Sequence, residues 1–150
     1  MKWYHIGIKA KDSAKSIRFY QNVLGLRVVD TAEILGKTFT FVGNDTIQIE
    51  IEQANPGDTQ ADPSSMTGLN HFSVVVEDIQ KLVKEARNKG ADVLMDPFKP
   101  RPDRFTTFIR DPDGVLIQII QYADKREHLL IKRAGISDNR SAGLLKGERK

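Results

Sequence analysis

The sequence predicts an α+β protein in which one strand–helix–three-strand unit occurs twice. Three observations carry that expectation. Residues 3–9 and 69–76 alternate in side-chain character as strands do, and each leads directly into an amphipathic helical pattern. Each helix is followed by three short strand-like runs broken by turn residues. Residues 54–68, between the units, are rich in Asn, Pro, Gly, Asp, Thr and Ser and lack apolar periodicity, as a linker does.

In the first unit, Tyr4, Ile6 and Ile8 share one strand face, and Trp3, His5 and Gly7 share the other. Asp12-Ser13 supplies helix-capping residues, and Ile17, Tyr20, Val23 and Leu24 form one helical stripe. Gly25 is placed to end the helix. Strands are expected at 27–32, 37–42 and 46–52, turned by Leu35-Gly36 and Gly43-Asn44-Asp45. In the second unit, Phe72, Val74 and Val76 oppose His71 and Ser73. Asp78 opens a helix with Ile79, Leu82, Val83 and Ala86 at i, i+3, i+4 and i+7, and Gly90 closes it. Strands are expected at 92–95, 105–110 and 115–122. Asp111-Pro112-Asp113-Gly114 fits the residue preferences of a type I turn. The helix in each unit must cover one sheet face. The paired βαβββ units are therefore expected to curve a mostly antiparallel sheet around a central site.

Composition limits the chemistry. A chain of 150 residues, 39% hydrophobic and 29% charged, is long and apolar enough to build its own core. It has no cysteine, which excludes disulfides, thiolate zinc sites, iron–sulfur clusters and a cysteine nucleophile. No apolar run approaches the roughly 18 residues of a membrane span, and residues 1–5 carry no signal-peptide core, so a cytoplasmic protein is expected. There is no GxxxxGK, and no GxGxxG after a strand, which argues against P-loop and dinucleotide enzymes. Residues 1–122 hold 15 basic and 16 acidic side chains, whereas residues 123–150 hold 8 and 4. The positive charge therefore belongs to a basic C-terminal extension, read as a solvated appendage rather than a nucleic-acid arm. The pattern at 127–133 allows a short helix. The domain proper is 1–122, with module one at about 1–53 and module two at about 69–122.

The uncovered face holds the chemistry. His5 and His71 both point there, and the last strand of each unit adds Glu50 or Gln118 in the same phase. His5 to Glu50 is 45 residues and His71 to Gln118 is 47; His5 to His71 is 66 and Glu50 to Gln118 is 68. If a pseudo-two-fold axis relates the units, two imidazoles, a carboxylate and an amide converge as an N₂O₂ set for a divalent first-row metal. Taken singly, a strand histidine is more often structural than a ligand, and Glu50 or Gln118 alone reads as an exposed or hydrogen-bonding strand residue.

The residues His5-Ile6-Gly7-Ile8, Asp12, Ser16-Ile17-Arg18-Phe19-Tyr20 and Val23-Leu24-Gly25-Leu26 resemble the vicinal oxygen chelate superfamily. So do Gly68-Leu69-Asn70-His71-Phe72, Val76-Glu77-Asp78 and Arg110-Asp111-Pro112-Asp113-Gly114. That superfamily includes glyoxalase I, methylmalonyl-CoA epimerase, fosfomycin- and bleomycin-resistance proteins and extradiol dioxygenases. The resemblance covers residues 3–122. It implies metal ligands at His5, Glu50 (Glu52 being the alternative two residues on), His71 and Gln118, where the family usually has glutamate. It also implies one divalent ion, Zn, Ni, Co, Mn or Fe, and a homodimer. The implied function is a lyase or isomerase of the glyoxalase I type, working on a small hydroxy-carbonyl substrate through an enediolate, with Glu50 as acid and base. A metal-free binding or resistance protein and an Fe(II) dioxygenase are the alternatives. Trp3, Phe39 or Phe41, and Phe105 are candidate pocket-lining aromatics, and Arg101, Arg104 and Lys99, expected in a loop, are candidate substrate-anion ligands.

Overall fold

The computed structural model describes residues 3–62, 64–65 and 67–124. The first module runs β1 (Ile6–Ala10), α1 (Ser13–Leu24), β2 (Arg27–Ile34), β3 (Lys37–Gly43) and β4 (Gln48–Gln53). The second runs β5 (His71–Val75), α2 (Ile79–Asn88), β6 (Asp92–Val93), β7 (Phe98–Arg101), β8 (Arg104–Arg110) and β9 (Leu116–Tyr122). The expected doubled unit is present, with one addition. Strand β7 forms a hairpin with β8, with Arg101 opposite Arg104 and an irregularity between Phe98 and Arg101. Pro100 and Pro102 hide it from sequence reading, because proline removes a ladder donor and marks edges or turns. The basic extension expected at 123–150, with its helix at 127–133, lies outside the described residues beyond Asp124.

Each module begins its sheet with a parallel pair, β1 on β4 and β5 on β9; the remaining pairings are antiparallel. The strand orders are β1-β4-β3-β2 and β5-β9-β8-β6, with β7 also on β8. Each module thus contributes one mostly antiparallel sheet to the expected α+β fold. Ile6, Ile8, Tyr20, Ile49 and Ile51 join Ile79, Val83, Ile109, Ile117 and Ile119 in one core. The helix-bearing faces of both sheets thus share an interior, and the faces carrying the histidines turn away from it. Burying those branched aliphatic side chains is worth roughly 1.5–3 kcal/mol each, which fixes which face goes inward.

Both helices start as the sequence dictates. Asp12 and Asp78 each accept the backbone N–H three residues on, at 2.9 Å. A matched pair of glutamines adds to this. Gln53, ending β4, accepts from the Ser13 N–H at 3.0 Å, and Gln121, near the end of β9, accepts from the Ile79 N–H at 2.8 Å. Gly25 and Gly90 follow the helices with φ of 67° and 76°, which a side chain would strain.

The modules are fastened by the Asp-Pro-Asp-Gly turn. Asp113 accepts the Lys11 N–H at 2.7 Å and the buried Ser16 hydroxyl at 2.6 Å. Asp111 accepts the buried Tyr20 hydroxyl at 2.8 Å on one oxygen, and the N–H groups of Asp113 and Val115 on the other. Burial pushes the Asp111 carboxyl above its ordinary range, against the pull of those hydrogen bonds. Burial, reinforced by the neighbouring Asp111 charge, also raises the Tyr20 phenol, which stays protonated and donates. Residues 54–68 contain no helix or strand among the described residues, but they are pinned. Gln60 donates to the Asp113 carbonyl at 2.7 Å, through space that a Cβ on Gly114 would occupy.

Asp111→Ala is expected to cost about 3 kcal/mol, because it strands the Tyr20 hydroxyl and two backbone donors. Asp111→Asn still accepts the two backbone N–H groups but leaves the buried Tyr20 hydroxyl hydrogen without an acceptor, and is expected to cost less than the alanine variant. A carboxyl raised in the folded state contributes most below its unfolded pKa and loses that contribution as pH rises through the folded value. The asparagine variant should therefore gain on wild type in urea unfolding as pH rises from the ordinary aspartate range toward the raised folded value.

Candidate metal centre

The geometry repeats between modules. The parallel register sets Gly7 opposite Glu50, and strand alternation brings His5 to the same outward face. His5 Nε2 lies 3.6 Å from Glu50 Oε2, with both side chains partly exposed. Phe41, the cross-strand partner of Glu50, meets the His5 ring edge-on at 5.5 Å between centroids. In module two, Ser73 stands opposite Gln118, and Phe108 is the cross-strand partner of Gln118. The Phe108 ring lies perpendicular to His71 at 5.7 Å. Each imidazole is thus backed by a phenylalanine from the third strand of the sheet path, an arrangement that suits the ring quadrupoles.

The two histidines differ in support. His71 Nδ1 is 2.8 Å from the Asn70 side-chain oxygen. That contact places the proton on Nδ1 and leaves Nε2 with its lone pair free. His5 Nδ1 is buried without a hydrogen-bond partner, so no bond fixes its tautomer. Glu52, the alternative to Glu50, is held by the Lys37 ammonium at 2.5 Å. Glu50 is the carboxylate that faces the imidazole.

A family model for the Glyoxalase/Bleomycin resistance protein/Dioxygenase superfamily matches residues 3–119. The chain belongs to this superfamily. A probable lactoylglutathione lyase of Synechocystis sp. is 31% identical over 131 residues, covering 82% of this chain and 97% of that protein. A lactoylglutathione lyase of Arabidopsis thaliana is 28% identical over 126 residues, covering 80% of this chain and 44% of that one. The chain spans about half the length of the plant relatives it matches. The crystal structure of glyoxalase I from Zea mays superposes with a TM-score of 0.70 at 25% identity, over 82% of this chain and 45% of that chain.

The donor set can be tested against the divalent ion that this superfamily implies. Two ligands each about 2.0–2.2 Å from one ion sit roughly 3–3.6 Å apart. The His5–Glu50 separation of 3.6 Å lies at the top of that interval. Imidazole nitrogens with one carboxylate suit zinc, nickel, cobalt, manganese or iron. His5 and Glu50 therefore fit as two ligands of such an ion. Among the described residues, no three His, Asp or Glu side chains gather where they could hold a metal. His5 and Glu50 stand on one sheet, and His71 and Gln118 on the other. His5, Glu50 and His71 thus form no single cluster among the described residues.

The expected substrate contacts scatter. Trp3 is 75% exposed ahead of β1. Lys99 and Arg101 lie in strand β7 rather than a loop. Arg101 pairs with Asp103 at 3.5 Å, and Arg104 bonds the same carboxylate and stacks over the Tyr122 ring. Phe105 packs against the core side of the sheet, with the Lys99 ammonium over it, so it does not face the histidines. Sequence reasoning missed Phe108, Asn70 and Arg110. The offset of about 67 residues from Phe41 points to Phe108. A cleft of about 560 Å³ beside His71 is lined by Asn70, Arg110, Leu116 and, from the linker, Gln60 and Asp62.

Asn70→Ala is expected to weaken zinc binding by about tenfold or more without shifting the urea midpoint, since it frees the His71 ring on an exposed surface. Isothermal titration of metal-free protein checks it.

Proposed function

We propose that this chain is a divalent-metal-dependent lyase or isomerase of the glyoxalase I type, acting on the thiol adduct of a small 2-oxoaldehyde. The observation that carries this reading is the repeated constellation of histidine, backing phenylalanine and carboxylate or amide on the outward face of each sheet. The names of the relatives support the substrate class.

Two copies complete the site. Strands β1 and β5 each end their strand order, so each has an unpaired edge among the described residues. Trp3, Tyr4 and Leu69, just ahead of those strands, are more than 70% exposed. Free edges flanked by large apolar side chains favour cover by a partner. In a two-fold dimer the same edges serve twice, giving two equivalent sites. His5 and Glu50 from one copy then face His71 and Gln118 from the other.

A bound divalent ion supplies Lewis acidity for the negative charge that builds on the substrate's neighbouring oxygens. Glu50 takes the proton from the carbon bearing the hydroxyl group and returns it to the adjacent carbonyl carbon, while the hydroxyl proton passes from the first oxygen to the second. Hydroxyl and carbonyl exchange places with no net oxidation. Gln118 cannot accept a proton, so the transfer uses one base.

Purified chain should convert a hemithioacetal to a thioester only when reloaded with divalent metal after chelation. Loss of either histidine should abolish turnover. Co-expressed His5→Ala and His71→Ala chains should recover about a quarter of wild-type activity, because half the dimers are mixed and each mixed dimer keeps one intact site. A site closed within one chain recovers nothing. Glu50→Gln should lower kcat by roughly 10²–10⁴-fold in protein saturated with metal.

A further inference from the structure

Arg110 shares the outward face of module two with His71. The register sets His71 opposite Leu116 and Leu116 opposite Arg110, so the two side chains stem from strands about 10 Å apart. The cleft of about 560 Å³ opens along this row, and its size suits a small molecule. Leu94 and Leu116 give it apolar walls. Among the described residues, two charged side chains line it: Arg110 from β8 and Asp62 from the segment between the modules. Gln60, bonded to the Asp113 carbonyl at 2.7 Å, holds that segment against the cleft.

Neither charge neutralises the other by contact. Arg110 Nη1 donates to Asp92 at 3.2 Å, and among the described hydrogen bonds its Nε and Nη2 donors have no acceptor. Those two donors form the side-on fork that a carboxylate meets with two parallel bonds. Asp62 is fixed by the Ser64 N–H at 2.9 Å and by the hydroxyls of Ser64 at 2.7 Å and Ser65 at 3.0 Å. The bonds from Ser64 and Ser65 hold its carboxyl below the ordinary range, and the Arg110 charge adds to them. Asp62 therefore stands beyond ion-pair contact with Arg110, yet within the roughly 8–10 Å over which an exposed charge is felt.

A plain anion is poorly matched to this cleft, because Asp62 and Asp92 repel it. A molecule carrying both charges is matched. We propose that the cleft binds the α-amino carboxylate group of a small amino-acid ligand, with the carboxylate forked on Arg110, the ammonium on Asp62, and a hydrocarbon side chain over Leu94 and Leu116. This binding needs no metal ion, so it stands apart from the reading given above.

The test uses full-length, ¹⁵N-labelled protein treated with chelator, and three probes on one carbon skeleton. L-Norleucine carries both charges, hexanoate the carboxylate alone and pentylamine the ammonium alone. The amide signals of Ser64, Asn70 and Leu94 should shift with norleucine. Hexanoate and pentylamine should bind at least about tenfold more weakly, each lacking one hydrogen-bonded charge. Arg110→Gln and Asp62→Asn should each weaken norleucine by about tenfold. The urea midpoint should stay in place, because both side chains are exposed. The preference for norleucine over pentylamine should vanish in Arg110→Gln, and the preference over hexanoate in Asp62→Asn. Hexanoate binding as tightly as norleucine makes the cleft a plain anion site and overturns the inference. Norleucine binding that both variants leave unchanged puts the probe elsewhere and overturns it equally. So does the absence of any shift in those amides near the solubility limit of norleucine. Protein that never takes up a divalent ion should give the same norleucine shifts, so failure of the metal reading is told apart from failure here.

Discussion

Two carboxylates at the Asp111–Asp113 turn hold the second module against the first helix, and the placement of everything else follows from that junction. Asp113 reaches the Lys11 amide and the Ser16 hydroxyl, while Asp111 reaches the Tyr20 hydroxyl. Ser16 and Tyr20 are fully buried, so these bonds form away from competing water, where an unmade bond is costly. The same junction decides which surfaces are spent on cohesion. With the helix-bearing sides committed to a common core, the histidine-bearing sides are left for other work.

That division explains why a repeated architecture produces half-sets. Each module puts one imidazole and one oxygen-bearing side chain on the same sheet face and backs the ring with phenylalanine. A duplicated unit gives this for no additional specification, since the same register recurs after 66 to 68 residues. What duplication does not preserve is chemical identity. Glu50 and Gln118 occupy matching places with the same volume and different capacity for protons, and Gly7 and Ser73 differ alongside them. The asymmetry is local to two facing strands, and the folding of either sheet does not require it.

Much of this was legible in the sequence. The alternation of Ile6 and Ile8 with His5 and Gly7, the Asp12 and Asp78 caps, and the terminating Gly25 and Gly90 all report short-range physics, and each element appeared near its expected place. The phase of Glu50 and Gln118 was readable because a strand's period is two. What was not readable depends on contacts between distant segments. Ser16 looked like an ordinary polar helix residue until Asp113 came to it from 97 positions away. The β7 hairpin was masked by prolines. Phe105 and Phe108 are indistinguishable by composition, yet one faces the core and the other a histidine. Above all, repeat spacing says that two half-sets are equivalent, not whether the equivalence axis brings them together within a chain.

Gln53 and Gln121 carry a consequence for inheritance. Each binds the first turn of its own module's helix from the end of that module's last strand. Each βαβββ unit is therefore buckled shut by its own residues, independent of what precedes or follows it. Transposing the two coding halves would leave both buckles intact, because neither crosses the join. Such units can be duplicated or exchanged by recombination with their internal fastenings intact, while the shared core and the clasp between them have to be rebuilt.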